Sequence, residues 1–283
     1  MPSATIDVGA RSVTFGGRNA FSLVLMTIEG WYGTPDAKVS LTERGQGTGA
    51  YPVDPSSVLY SARTVTLSVA ACGEGRDEVA ALMDSVDALA GGVGTLRVAD
   101  GESDTVATGY VAVDWDRGPW RDGNTGTVTV VCPDPRRYGA AWYRAYLRPG
   151  ATSAGGLEWA QDGTHALPWP LSFGGGGRAP SVATLHNAGT SAAYPTITAS
   201  GDMGGLVLTD TATGAQLGYA GRVGSQPVVL DCLARTASVS GVDSSRLLSS
   251  RGFPSVPAGG GVTLALSATG TGVVEVAWRD TYI

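Results

Sequence analysis

The chain has 283 residues, 43% of them hydrophobic, and a formal net charge of −6. That length predicts two domains, each able to bury a core, and an acidic balance with no basic half excludes a nucleic-acid-binding footprint. The 42 glycines follow no three-residue period, which excludes collagen; they separate short runs of Val, Thr, Leu and Ile, the pattern of turns between β-strands.

In chain order, residues 3–8 and 11–15 read as two short strands around Gly9-Ala10, and 20–28 as a stronger one. A turn-rich stretch runs from Gly30 to Pro55 and contains Arg44-Gly45-Gln46-Gly47-Thr48-Gly49. It lacks the Lys and Ser/Thr that a phosphate-binding loop needs. A long glycine-rich loop inside a compact domain is functional or disordered, and an assembly loop is the preferred reading. Leu59 to Ala71 alternates as a half-buried strand, with Leu59, Ala62, Val65, Leu67 and Val69 on its apolar face and Arg63 among the polar positions.

One helix is expected, over Arg76 to Ala90. Val79, Leu82, Met83, Val86 and Leu89 share a face, Asp77 and Glu78 sit in the first turn where the helix dipole favours negative charge, and Gly91-Gly92 stops it. Strands follow at 94–98, 105–115 and 126–132, the last ended by Pro133-Asp134-Pro135, which removes two ladder donors. Residues 140–149 read as a strand leaving the first domain, so that domain is set at 1–149. The Gly-, Pro- and Ala-rich stretch 150–180 is placed as the inter-domain connector. From 181 to 283 the chain is short strands, at 182–185, 194–199, 206–210, 227–230, 237–239, 262–267 and 273–278, a β-sandwich pattern.

Chemistry is sparse. Cys72, Cys132 and Cys232 are far apart, with no C-x-x-C spacing; Cys72 follows an apolar run, Cys132 and Cys232 each sit in one as small hydrophobes, and the odd count fits a reducing compartment. His165 and His186 have no partner at a telling distance, and neither a G-x-S-x-G elbow nor H-E-x-x-H occurs. Asp114 and Asp116 share a strand face but run into a turn, and the acids from Asp100 to Asp104 lack the spacing of a calcium loop. No enzyme activity, cofactor or metal is expected. No apolar run approaches the ~18 residues of a membrane span and no signal-peptide core precedes the first strand, so neither membrane insertion nor secretion is expected. Six of the seven tryptophans, Trp31, Trp115, Trp120, Trp142, Trp159 and Trp169, fall before or within the connector; that distribution favours protein contact over a sugar-stacking platform in the second domain.

The order of elements is specific. Early strands, a long loop, the strand Val58–Ala71, one helix, Thr95-Leu96-Arg97-Val98-Ala99-Asp100, and then Asp134-Pro135-Arg136-Arg137-Tyr138 resemble the N-terminal domain of phage distal tail (Dit) proteins. Asn187-Ala188-Gly189, Tyr194-Pro195-Thr196-Ile197, Leu230-Asp231, the run from Arg235 to Gly241 and Val256-Pro257-Ala258-Gly259 are similar to the family's second domain. The resemblance implies a mainly β protein: a tail-tube-like split β-barrel or sandwich with one α-helix, followed by a galectin-like β-sandwich. It implies a virion protein, assembled in the cytoplasm of the bacterial host, that forms a hexameric ring at the distal end of a siphophage tail. The implied partners are further copies of the chain, the tail tube protein, the tail-tip hub or tail-associated protein with its receptor-binding proteins, and the tape measure protein, with DNA passing the lumen without specific binding. An inserted carbohydrate-binding module is not visible. Arg44, Gly45, Gln46, Gly47, Thr48, Gly49 and Tyr51 are the candidate subunit contacts. The alternatives are a secreted or virion carbohydrate-binding or adhesive protein, and another tail-tube or baseplate subunit.

Overall fold

The computed structural model describes residues 2–17, 22–54, 58–116, 123–150 and 181–283, and divides into two units, 1–141 with 281–283, and 142–280. The first unit is built on β1 (Ser3–Val8), β2 (Arg11–Gly16), β3 (Leu23–Glu29), β4 (Ala37–Lys38), β5 (Leu59–Tyr60), β6 (Arg63–Cys72), α1 (Arg76–Asp87), β7 (Val93–Ala99), β8 (Asp104–Trp115), β9 (Gly123–Cys132) and β10 (Arg137–Gly139). Seven of the strands form one antiparallel sheet in the order β2-β1-β7-β8-β9-β6-β3. Its outer strands come together: a Cβ placed on Gly16 would lie 3.0 Å from the Leu25 Cβ. Among the described residues no ladder joins β2 to β3, and the sheet curls into a split barrel around Ile6, Phe15, Leu67, Leu96, Val98, Val128 and Val130, all fully buried. Burial of that apolar face is the main force holding the curl closed.

The helix packs beside β6 and β9 and puts Val79 and Val86 inside. It ends at Asp87 rather than Ala90, and Leu89 reaches the core from the turn that follows. Glu78 does more than face the dipole: its carboxylate reaches back from the first turn and accepts from the Glu74 N–H, just before the Gly75 N-cap, at 2.8 Å. The acids at 100–104 form a hairpin turn, with Asp100 Oδ1 accepting from the N–H groups of Glu102 and Ser103.

The second unit contains β11 (Tyr143–Leu147), β12 (Val182–Asn187), β13 (Thr196–Asp210), β14 (Gln216–Tyr219), β15 (Val228–Asp231), β16 (Thr236–Val239), β17 (Val242–Asp243), β18 (Leu248–Arg251) and β19 (Gly260–Trp278). Sequence spacing predicts four short strands where β13 and β19 each run on continuously. The glycines read as turns are where these two strands press together: a Cβ on Gly272 would lie 2.4 Å from the Ser200 carbonyl oxygen, and one on Gly201 2.7 Å from the Gly272 Cα. Past that point both strands change partners. The first half of β13 pairs β15, the second half β14; one half of β19 pairs β11, the other β12. The two halves face each other across Leu185, Ile197, Leu206, Leu208, Leu217, Leu230, Val274 and Val276, which makes a β-sandwich. Asn187 closes one end from inside the core. Its side-chain amide donates to the carbonyls of Ser191, Val256 and Pro257, and its oxygen accepts from the Gly189 N–H.

The domain limits differ from those expected. Residues 143–147 do not leave the first unit as its last strand; β11 pairs Tyr143–Leu147 with Trp278–Val274 and belongs to the sandwich. The expected connector, 150–180, has the second unit on both sides of it. Residues 151–180 lie outside the described residues, but the chain on both sides of them, β11 and β12, is in the second unit and lies on β19. The units exchange chain between Ala141 and Trp142 and again between Asp280 and Thr281, where β20 (Thr281–Tyr282) returns to pair with β10. Thr281 is buried there. Removing residues 281–283 should therefore lower the stability of the first unit by roughly 1–3 kcal/mol, seen as an earlier thermal transition; an unchanged transition would show that β20 adds nothing.

All three cysteines are free, Cys132 and Cys232 buried and Cys72 half-buried. Burial pushes the Cys132 thiol up to about 11 and the Cys232 thiol higher still. In the folded chain at mildly alkaline pH, a maleimide should label Cys72 alone, and all three after denaturation; mass spectrometry reads the count.

Candidate subunit-contact arm

The stretch from Gly30 to Pro55 starts from a buried anchor. Arg63, the first residue of β6, is 1% exposed and points inward with Val65, Leu67, Val69 and Ala71. This corrects the expected facing, in which Arg63 is polar and solvated and Leu59 and Ala62 are inside. Leu59 is 65% exposed and Ala62 is also exposed, because the chain breaks between β5 and β6 and the alternation restarts at Arg63.

Arg63 Nη1 donates to the carbonyls of Gly30 (2.7 Å), Trp31 (2.9 Å) and Gly33 (2.8 Å), and Nε donates to the Pro135 carbonyl (2.9 Å). One guanidinium thus gathers the turn at 30–33 and the turn after β9. Burial, then the neighbouring Arg137 charge, pulls its pKa below the ordinary arginine value; the fork geometry and high intrinsic pKa of arginine keep it charged all the same. Trp31 is fully buried in the same place, with the Arg137 guanidinium 5.6 Å from its ring centre. Tyr32 donates to Asp100 Oδ2 at 2.9 Å, tying the turn to the β7–β8 hairpin.

The Asp134-Pro135-Arg136-Arg137-Tyr138 segment is a closed turn. Tyr138 donates its hydroxyl to Asp134 Oδ2 at 2.5 Å, and Asp134 Oδ1 accepts from the Arg136 N–H at 3.0 Å. Burial first, then the Asp134 contact, pushes the Tyr138 phenol up to about 12, so it remains a donor at any physiological pH. Gly30 cannot be replaced in this anchor. Its φ is +76°, and a Cβ there would lie 2.0 Å from the Thr64 carbonyl oxygen. Gly30→Ala should cost about 2–3 kcal/mol or more, measured by denaturant unfolding.

Beyond the anchor the chain leaves the barrel. β4 pairs β5 as a two-stranded ribbon, and the Ser61 N–H donates to the Asp36 carbonyl. Further out, Tyr51 N–H donates to Thr42 (2.9 Å), Arg44 N–H donates to Gly49 (3.1 Å), and Glu43 bridges Ala50. The expected loop is therefore a small hairpin with its tip at 45–49. The structure brings all seven candidate residues, Arg44, Gly45, Gln46, Gly47, Thr48, Gly49 and Tyr51, onto this hairpin, all exposed. The Arg44 guanidinium lies 5.9 Å from the Tyr51 ring centre. Tyr51 is 60% exposed, and Leu41 and Leu59 are similarly bare. Nothing lies within 4 Å of a Cβ placed on Gly45, Gly47 or Gly49. A projecting hairpin with bare apolar and aromatic side chains has the chemistry of a protein contact.

The other candidates do not converge. His186 is exposed, and its carbonyl accepts from the Trp278 indole N–H at 2.7 Å. Asp116 takes the Thr125 hydroxyl, and the Trp115 indole N–H goes to Asp87. His165, Trp120, Trp159 and Trp169 lie outside the described residues. The tryptophans are not a set of contact anchors: Trp31 and Trp278 are core, Trp115 is half-buried, and Trp142, in the second unit, is the exposed one among those described. Among the described residues no group of His, Cys, Asp and Glu could hold a metal ion, and no helix is long and apolar enough to cross a membrane.

No protein-family model and no curated protein matches the sequence. Solved structures do match the fold, over nearly its whole length. The SPP1 Dit protein, described as a paradigm of the hub adsorption apparatus in phages infecting Gram-positive bacteria, aligns over 99% of this chain and 99% of its own with a TM-score of 0.61 at 11% identity. The chain has the distal-tail fold. A chain of the phage P2 baseplate, in its activated conformation with calcium, aligns over 99% of this chain and 98% of its own, with a TM-score of 0.51 at 9% identity. The distal-tail fold thus covers the barrel, the helix, the sandwich and the returning C-terminal strand together, and the anchor and hairpin lie within it.

Proposed function

We propose that this chain is a structural subunit of a phage tail: a ring, six copies round, at the distal end of the tail tube, joining the tube to the tail-tip hub and its receptor-binding proteins. The observation that carries this reading is the likeness to a hub protein over 99% of both chains. The geometry supports a division of labour. Among the described residues the split barrel's outer strands, β2 and β3, approach without a ladder between them, and the parts of their edges that do not face each other can pair with a neighbour. The stretch that carries the hairpin at 42–51 is anchored where it starts, at 30–33, by Arg63, and the hairpin is bare at its tip, as an element that reaches the next copy must be. A closed ring needs a heterologous contact repeated by rotation, and such a permanent interface buries roughly 2,000 Å² or more. In this role shape and contact do the work, no side chain performs a reaction, no cofactor is required, and DNA crosses the lumen without being read.

Mass photometry and negative-stain imaging of the purified full chain test the reading. The expected result is a discrete species at six times the chain mass, seen as rings with a central opening. A strictly monomeric chain at high concentration that is also absent from purified virions would overturn it.

A further inference from the structure

One edge of the second unit carries exposed aromatic and basic side chains. β11 pairs with β19 on one side and with no strand on the other among the described residues. Its side chains alternate. Leu147 is in the core and Ala145 packs against it, while Trp142, Arg144, Tyr146 and Arg148 are exposed on the opposite parity. Trp142 is 53% and Tyr146 49% exposed. A strand edge guarded only against aggregation carries charges; large bare aromatic side chains interleaved with arginines are instead what contact surfaces are made of.

Charge selects the occupant. The chain is acidic overall, at −6, yet this edge presents Arg144 and Arg148, with Arg279 stacked 4.4 Å from the Trp142 ring centre. Two acids lie nearby and both are engaged: Glu275 meets Arg144 at 3.4 Å, and Asp280 accepts from the Tyr143 hydroxyl and the Ala188 N–H. A second copy of the same edge would set arginine against arginine, which is unfavourable across a strand pair. An acidic strand would be attracted.

We infer that β11 is a docking edge for an extended, acidic segment of another protein, which adds to the sandwich as a further strand and sets its carboxylates against Arg144 and Arg148. Backbone hydrogen bonds to the open edge supply the affinity, and the Trp142 and Tyr146 side chains with the two arginines supply the choice of partner. This deepens the tail-hub reading, on which it rests, by naming the chemistry of a partner for the second unit.

The test uses the full chain and a short fluorescein-labelled peptide of alternating threonine and glutamate, followed by fluorescence anisotropy at low and at physiological ionic strength. Saturable binding is expected. It should weaken by about tenfold or more in the Arg144→Glu, Arg148→Glu double variant, and by a similar factor when alternate peptide amides are N-methylated and cannot complete a ladder. Both arginines are exposed, so losing the Arg144–Glu275 pair should lower the melting temperature by no more than about 2–4 °C. The inference is overturned if the peptide does not bind, if the threonine–lysine counterpart binds as well, if neither change weakens binding, or if heparin, an anionic glycan, binds this edge and the peptide does not. Mass photometry of the same samples separates the two claims: rings without peptide binding sink this inference alone, and peptide binding without rings sinks the ring alone.

Discussion

Arg63→Leu should lower the melting temperature of the first unit by about 6–12 °C. The substitution removes four hydrogen bonds at once, to Gly30, Trp31, Gly33 and Pro135, and leaves those carbonyls in a place where water cannot fully replace the donor. A buried acceptor left without a partner costs about 1–3 kcal/mol, partly offset here by no longer burying a charge, so a net loss of about 3 kcal/mol is expected. For a domain of this size each kcal/mol moves the transition by about 2–4 °C. Arg63→Lys should recover only part of the loss, because an ammonium has no planar fork with which to span two separate turns. Differential scanning calorimetry reads both variants. A shift under about 2 °C for the leucine variant would mean that the 30–33 turn and the 133–138 turn hold their places without the guanidinium.

Deleting residues 44–50 should abolish rings while leaving the fold intact. These residues form the tip of the hairpin and are exposed or nearly so, and no part of the barrel core depends on them, so the melting temperature should stay within about 1–2 °C of the parent value. If the tip reaches the neighbouring copy, its loss removes one contact from every interface of the ring, and a repeated interface magnifies a local defect. Tyr51→Ser and Arg44→Glu, each at a residue type that anchors interfaces, should weaken assembly by about tenfold or more. Mass photometry across a dilution series reads the change as a shift from the ring to single chains. Intact rings from the deletion would falsify the assignment of the arm without touching the fold.

Both predictions turn on how local a signal is. The arm is legible from residues alone: Gly45, Gly47 and Gly49 between polar neighbours can only be a bare turn, and Tyr51 beside them is conspicuous. What the sequence does not announce is the ladder from Thr42 to Tyr51 that makes the loop a hairpin, since residues 37–54 lack the β-branched alternation of the other strands. Arg63 is the sharper case. Strict period-two counting back from Val69, Leu67 and Val65 reaches Arg63 on the buried face; the opposite assignment follows only if Leu59 and Ala62 are made part of the same strand. The signal was present, and arginine's usual place at the surface argued against it. Its partner at Pro135 is 72 residues away, and spacing says nothing about a contact at that range.

The sandwich shows the same division. Gly201, Gly270 and Gly272 carry the usual mark of a turn, but β13 and β19 continue through them because the two paired backbones lie too close there for a side chain. A glycine required by a turn and a glycine required by a neighbouring strand are identical in one dimension.

By itself, then, the amino-acid order determined everything that depends on neighbours within one turn or one strand: the mainly β class, the single helix and its acidic first turn, the hairpin turn at 100–104, the bare arm and the burial of two of the three thiols. The tertiary structure alone decided where the units divide, that β11 and β20 belong to units other than those nearest in the chain, that two pairs of short strands are two long ones, and that an arginine anchors the arm from inside. Those outcomes are set by pairings between residues some 50 or more positions apart. Their formation follows from burying one sheet face against another, a free energy that belongs to the assembled surface and to no single segment of the chain.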